Sequence, residues 1–95
     1  MVESMFSSAY ALLIEAVVTL RKNAGLTQRQ LADRLGREQS FVGRIETGQR
    51  RLDLVEFIWI CRACGAEPEQ EVSRLTRRLA GHVRPGRPRK KPRSG

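Results

Sequence analysis

The chain has 95 residues, 40% of them apolar, 29% charged and only 5% aromatic, with eight glycines and four prolines. A domain this short buries about 60–65% of the surface its unfolded chain exposes, so one simple core is all it can hold; the composition suits a soluble α-rich fold and excludes a β-sandwich, a collagen-like repeat, a wholly disordered chain or a large enzyme. Eighteen Lys and Arg against ten Asp and Glu leave a net charge of +8, which predicts attraction to a polyanion, either nucleic acid or an anionic membrane.

The first predicted helix runs from Ser7 or Ser8 to Ala24, with apolar residues at 10, 13, 14, 17, 18 and 20 near helical spacing. Arg21 and Lys22 fall in its last turn, where cations favour the dipole, and Gly25 suits the position past its end. Its most apolar stretch, Ala9 to Val18, contains Glu15 and is far shorter than the ~20 residues of a membrane span. Glu3 is the only charge ahead of it, so no secretory signal is expected and the chain reads as cytoplasmic, without a membrane partner.

Thr27-Gln28-Arg29-Gln30 is a capping box that opens a short second helix, stopped by Gly36 after Leu35. A third helix is predicted from near Glu38 to about Thr47, with Gly48 as its stop. Phe41, Val42 and Ile45 form its apolar stripe, leaving Gln39, Ser40, Gly43, Arg44 and Thr47 at other angles. Asp53 and Glu56 mark the start of a fourth helix, with Leu52 and Phe57 spaced for a hydrophobic staple and Gly65 as the stop. Phe57 and Trp59 are expected in the core or at a subunit contact. Pro68 suits the first position of a fifth helix, with Glu67, Glu69 and Glu71 around its positive end, a stripe of Val72, Leu75 and Leu79, and Gly81 beyond. The prediction is therefore an all-α chain, with a compact five-helix domain over residues 1–82 and a disordered basic tail over 83–95.

The charge is uneven. Residues 1–83 hold twelve cations and ten acids, whereas the tail holds Arg84, Arg87, Arg89, Lys90, Lys91 and Arg93 and no acid. Residues 20–51 hold eight cations against three acids, so two regions look suited to phosphate. Cys61 and Cys64, one helical turn apart, read as small apolar residues of a packed face, because a lone C-x-x-C pair completes no zinc site and His82 is the only other soft ligand. Neither a metal nor a cofactor is expected. No nucleophile–base–orienter set is present, so the chain does not read as an enzyme.

The informative segment is Gly25 to Gly48. Two short amphipathic helices joined at Gly36-Arg37 and supported by their neighbours make a helix-turn-helix, whose second helix can enter a major groove about 12 Å wide. The ordered series Ala24-Gly25-Leu26-Thr27-Gln28, Leu31-Ala32, Leu35-Gly36, Gln39-Ser40, Val42 and Ile45-Glu46-Thr47-Gly48 resembles the Cro and phage-repressor helix-turn-helix family, the XRE-type regulators. The resemblance spans roughly residues 12–66, and Arg50-Arg51-Leu52-Asp53 with Glu56-Phe57 also looks like bacterial members.

That resemblance implies a lambda-repressor-like fold and a set of roles. Gln39, Ser40 and Arg44 occupy the base-reading positions, and their chemistry agrees: Gln pairs bidentately with adenine, Arg with guanine, and Ser tolerates either. Thr27 and Gln28 occupy the phosphate-binding start of the second helix, while Gln49, Arg50 and Arg51 occupy the loop that clamps the backbone. Arg21 and Glu46 match an architectural ion pair. Two positions depart from the pattern: Arg37 stands where a Ser or Thr cap is more common, forfeiting ~1 kcal/mol but within reach of phosphate, and Glu38 would be repelled by one.

In the tail, Arg84-Pro85-Gly86-Arg87-Pro88-Arg89-Lys90-Lys91 resembles an AT-hook, with Pro85 in place of the usual Arg before the glycine. Either minor-groove reading or a nonspecific basic arm is expected of it. The leading functional expectation is a sequence-specific regulator, a repressor in a bacterial or phage setting, that binds double-stranded DNA as a homodimer with half-sites ~34 Å apart. Its dimer contact is expected on the fifth helix through Val72, Leu75 and Leu79, or on the first through Tyr10 and Leu13. The competing expectation is an antitoxin-like or adaptor module whose main partner is a protein, because fold alone does not decide function.

Overall fold

The computed structural model describes residues 7–81. They form α1 (Ser8–Asn23), α2 (Gln28–Leu35), α3 (Ser40–Glu46), α4 (Leu54–Ala63) and α5 (Pro68–Leu79), with no strand among the described residues. The chain thus adopts the all-helical architecture read from its sequence. His82 and the tail, with its predicted disorder and AT-hook likeness, lie outside the described residues.

Local chemistry sets most helix ends. The Ser7 hydroxyl accepts from the Tyr10 amide at 3.0 Å, capping α1. In α2 the Gln30 amide donates to Thr27 Oγ1 at 3.0 Å and the Thr27 amide to Gln30 Oε1 at 2.9 Å, which completes the capping box. The same reciprocal pair joins Asp53 and Glu56 at the start of α4, at 2.8 and 3.1 Å. Leu52 and Phe57 bracket that cap and are both buried, as a hydrophobic staple requires. Between α2 and α3, Gly36 adopts φ +68°, a conformation that only glycine takes readily, and lets the Arg37 amide reach back to the Ala32 carbonyl at 2.9 Å.

One helix starts later than predicted. α3 opens at Ser40 instead of Glu38, with Gln39 at its cap making no side-chain hydrogen bond and Glu38 outside the helix. The Glu38 carbonyl still accepts from the Phe41 amide at 3.0 Å. No Ser, Thr, Asp or Asn precedes the helix to fix its first turn.

Val17 and Leu20 of α1, Leu31 and Ala32 of α2, Phe41, Val42 and Ile45 of α3, and Phe57, Ile60 and Cys61 of α4 form one core. The α2 end is tied to α4 by Arg34 Nη1, which donates to the Ala63 carbonyl at 2.8 Å. Cys61 is fully buried and burial pushes its thiol up to about 12; half-buried Cys64 is raised by the same cause. No group of side chains suited to a metal ion occurs among the described residues. No described helix is long and apolar enough to cross a membrane.

Of the two residues expected in the core or at a subunit contact, Phe57 lies in the core, whereas Trp59 is 50% exposed. α4 is apolar nearly all round, and Phe57, Ile60 and Cys61 already occupy its inner face, so Leu54, Val55 and Trp59 point elsewhere. Tyr10 does not offer a docking surface: it is buried, and its hydroxyl accepts the Leu52 amide proton at 3.0 Å. Leu13, Val72, Leu75 and Leu79 line a common cleft with Leu52 and Phe57, and of the α5 stripe Val72 is the exposed large apolar residue.

Candidate nucleic-acid interface

The α2–α3 unit is built from its buried faces outward. Phe41, Val42 and Ile45 face the core, so the helical period sends the intervening side chains outward. Gln39, Ser40 and Arg44 are all exposed, with Ser40 and Arg44 one turn apart on the same side of α3. The structure therefore brings the three residues named as base readers onto one accessible surface.

Behind that surface, the end of α3 is fastened to α1 and to the start of α2. Arg21 Nε donates to Glu46 Oε2 at 2.7 Å and Nη2 to Oε1 at 3.0 Å, while Nη1 reaches the Leu26 carbonyl at 2.9 Å. The Glu46 side chain is only 6% exposed, so the fork-to-fork pairing satisfies a carboxylate largely removed from water. The hydrogen bond to Glu46 raises the Arg21 pKa further above its ordinary value, with burial opposing it. Gln28 is a third member that sequence reasoning missed: its Nε2 donates to Glu46 Oε1 at 2.8 Å. Only its place beside Thr27 was legible, and that pointed to phosphate.

The N-terminus of α2 offers donors of a different kind. The capping box occupies the Thr27 and Gln30 amides. The amides of Gln28 and Arg29, at the first two helical positions, have no partner within the helix. They and the positive end of the dipole suit an anion.

The loop after α3 is also ordered by its backbone. Gly48 at φ +81° turns the chain so that the amides of Gln49 and Arg50 both meet the Arg44 carbonyl, at 2.9 and 3.1 Å. Gln49 and Arg51 are exposed. Arg50, expected as a phosphate contact, has Nη1 and Nη2 on the two Glu56 oxygens at 2.9 and 2.7 Å, with Nη1 also on the Arg51 carbonyl at 2.9 Å. The hydrogen bond from Arg50 holds the Glu56 carboxyl below the usual carboxylate range against the opposing effect of burial, helped by the Asp53 amide.

Phe41 organises the cations around the start of α3. The guanidinium carbons of Arg37 and Arg50 lie 4.1 and 4.8 Å from its ring centroid, and that of Arg51 lies 4.5 Å from the Tyr10 ring. The two contacts on Phe41 hold Arg37 and Arg50 at the start of α3, and the third holds Arg51 against α1. The sequence carried no local signal for them, because each pairing depends on how the helices cross.

Comparison with known proteins agrees with this geometry. The family described as a helix-turn-helix domain matches residues 17–75. The chain is similar to the solved structure of an XRE-family like protein from Pseudomonas syringae pv. tomato str. DC3000, with 42% identity and a TM-score of 0.71, covering 75% of this chain and 87% of that one. Among curated protein sequences, none matches. On the family match, on this likeness and on the exposed third helix, the chain belongs to the XRE-type helix-turn-helix family and is a DNA-binding regulator.

Proposed function

We propose that the chain is a sequence-specific transcriptional repressor that binds a palindromic operator in double-stranded DNA as a homodimer, in the cytoplasm of its host. The observation that carries this reading is the outward placement of Gln39, Ser40 and Arg44 on a helix whose other face is buried. In this reading Arg44 pairs with guanine, Gln39 with adenine, and Ser40 adjusts to either. The Gln28 and Arg29 amides, with Thr27 beside them, take one phosphate. Arg37, Gln49 and Arg51 flank the reading helix and take others. The side chains of Gln28 and Arg50 act through Glu46 and Glu56 as positioning groups. The six tail cations, Arg84 to Arg93, add phosphate or minor-groove contacts.

A fluorescence titration of the full chain against random genomic duplexes at two salt concentrations tests the reading. With about six phosphates neutralised per chain, log affinity falls with log salt at a slope near −5 per chain. Absence of binding at low salt overturns it. That result would favour an antitoxin-like or adaptor module with a protein partner, a reading that draws on the exposed Leu54, Val55 and Trp59.

A further inference from the structure

α1 and α5 pack against each other, and their seam opens into a cleft of about 420 Å³. Each wall is one row of a helix: Ala16, Leu20 and Asn23 on α1 and Glu71, Leu75 and Arg78 on α5 recur at intervals of three and four. The deeper side chains are apolar, with Leu20 buried and Ala16 and Leu75 half-buried. The mouth is polar. Thr19, Asn23, Arg74 and Arg78 are exposed there, and the Thr19 hydroxyl and Asn23 amide make no side-chain hydrogen bond among the described residues. Arg74 Nη1 meets Glu71 Oε2 at 2.8 Å, and the other donors of that guanidinium have no hydrogen-bond partner among the described residues. Arg78 Nη2 meets Glu15 Oε1 at 2.9 Å in a pair exposed on both sides, a kind that contributes little to stability and yields readily to a competing anion.

We propose that this cleft binds a small monocarboxylate with an apolar body. The size fits, since ligand sites run from about 300 to 1,000 Å³ and join apolar walls to a few orienting polar groups. The donors fit as well: a guanidinium is a planar fork that matches a carboxylate, and Arg74 and Arg78 stand one helical turn apart at the mouth. Two arginines and one glutamate leave the lining a net charge of +1, which suits a monoanion. A phosphate monoester carries about two charges and would meet Glu71 as well. The apolar body lies on Ala16, Leu20 and Leu75, which a hydrophilic anion would leave unused. The inference goes beyond DNA binding, and its test needs no DNA.

Titration of the isotope-labelled full chain with benzoate at neutral pH, followed through amide chemical shifts, locates the site. The expected result is saturable binding in the millimolar range, with the largest shifts at Leu20, Asn23, Glu71 and Leu75. Arg74→Gln weakens benzoate about tenfold or more. Arg77→Gln removes an equal charge from an α5 side chain outside the cleft and leaves the affinity unchanged. Both positions are exposed, so circular dichroism shows the same helicity in both variants. Benzamide, which lacks the charge, and acetate, which lacks the ring, each bind about tenfold less tightly or worse. Failure to saturate, shifts spread over the cationic surface instead of the α1–α5 seam, or equal losses in the two variants overturns the proposal. Inorganic phosphate that binds these residues as tightly as benzoate overturns it too.

Discussion

Arg50 and Glu56 face each other across the turn between α3 and α4, joined by two near-parallel hydrogen bonds of 2.9 and 2.7 Å. Glu56 is also the capping-box partner of Asp53 at the start of α4, accepting from the Asp53 amide, so one carboxylate fixes both the loop after α3 and the start of the next helix. The Arg50 side chain is 35% exposed and that of Glu56 10%, which places the pair at the margin of the core. Arg50→Ala should therefore lower unfolding free energy by about 1–3 kcal/mol in urea titrations, the range for a hydrogen bond to a charged group left unmade. The salt slope of DNA binding should not change. Arg51→Ala should do the opposite, costing no more than about 0.5–1 kcal/mol of stability through its contact with the Tyr10 ring and reducing the slope by about 1.

The same pair sets an acid limit. Because the folded-state pKa of Glu56 is depressed, its contribution to stability is complete above the unfolded value of about 4.3 and is lost as pH falls through the folded value. Urea midpoints should hold steady from neutrality to about pH 5 and drop below it. Glu56→Gln should be less stable at neutral pH and should flatten part of that drop. An acid profile identical in the two proteins would remove Glu56 from this role.

Arg21 and Glu46 should be the more costly pair to break. Arg21→Ala leaves a nearly buried carboxylate with Gln28 as its remaining side-chain donor, at a cost of about 3–5 kcal/mol. A double-mutant cycle with Glu46→Gln should return a coupling energy of about 1–3 kcal/mol. Additive losses would mean that the two residues act independently.

Arg44 and the tail should separate by the kind of loss they cause. Arg44→Ala should cost about 1–3 kcal/mol on the selected operator and relax preference at one base pair, with little change on random DNA. Deleting residues 84–95 should weaken binding to every sequence and flatten the salt slope. Competition titrations read both, and equal losses on operator and random DNA after Arg44→Ala would take the reading role from Arg44.

Gly43 sits inside α3, where glycine costs up to ~1 kcal/mol relative to alanine. A Cβ there would meet Gln28 Oε1 at 3.4 Å, the movable end of a side chain whose Nε2 is held by Glu46. Gly43→Ala should therefore raise the melting temperature by a few degrees, the helix gain exceeding a small shift of Gln28. A fall in melting temperature would show that the Gln28–Glu46 link cannot yield.

What could be read from the sequence was local. Thr27 with Gln30 and Asp53 with Glu56 announce their helices because both partners lie three residues apart, and Gly36 and Gly48 stop theirs through their own backbone freedom. The outward direction of Gln39, Ser40 and Arg44 followed from the helical period once Phe41, Val42 and Ile45 were placed inside. The partners of Gln28 and Arg50 were not legible, because a donor near the start of α2 or in a polar loop reads equally as a ligand contact until the crossing of α1, α2 and α3 brings an acid beside it. Which of core and surface Trp59 takes was not legible for a related reason. α4 has more apolar residues than one inner face can hold, and periodicity alone does not say which of them the core leaves out.

The division of labour within α3 has an evolutionary corollary. Its packing depends on Phe41, Val42 and Ile45, and its anchorage on Glu46, whereas the side chains of Gln39, Ser40 and Arg44 lie at the surface. Exposed positions of this kind accept substitution with shifts within about ±0.5 kcal/mol. If these side chains read the bases as proposed, the chain can acquire a new target by small steps, each leaving a folded protein behind it, and one architecture can diversify into many addresses without being rebuilt.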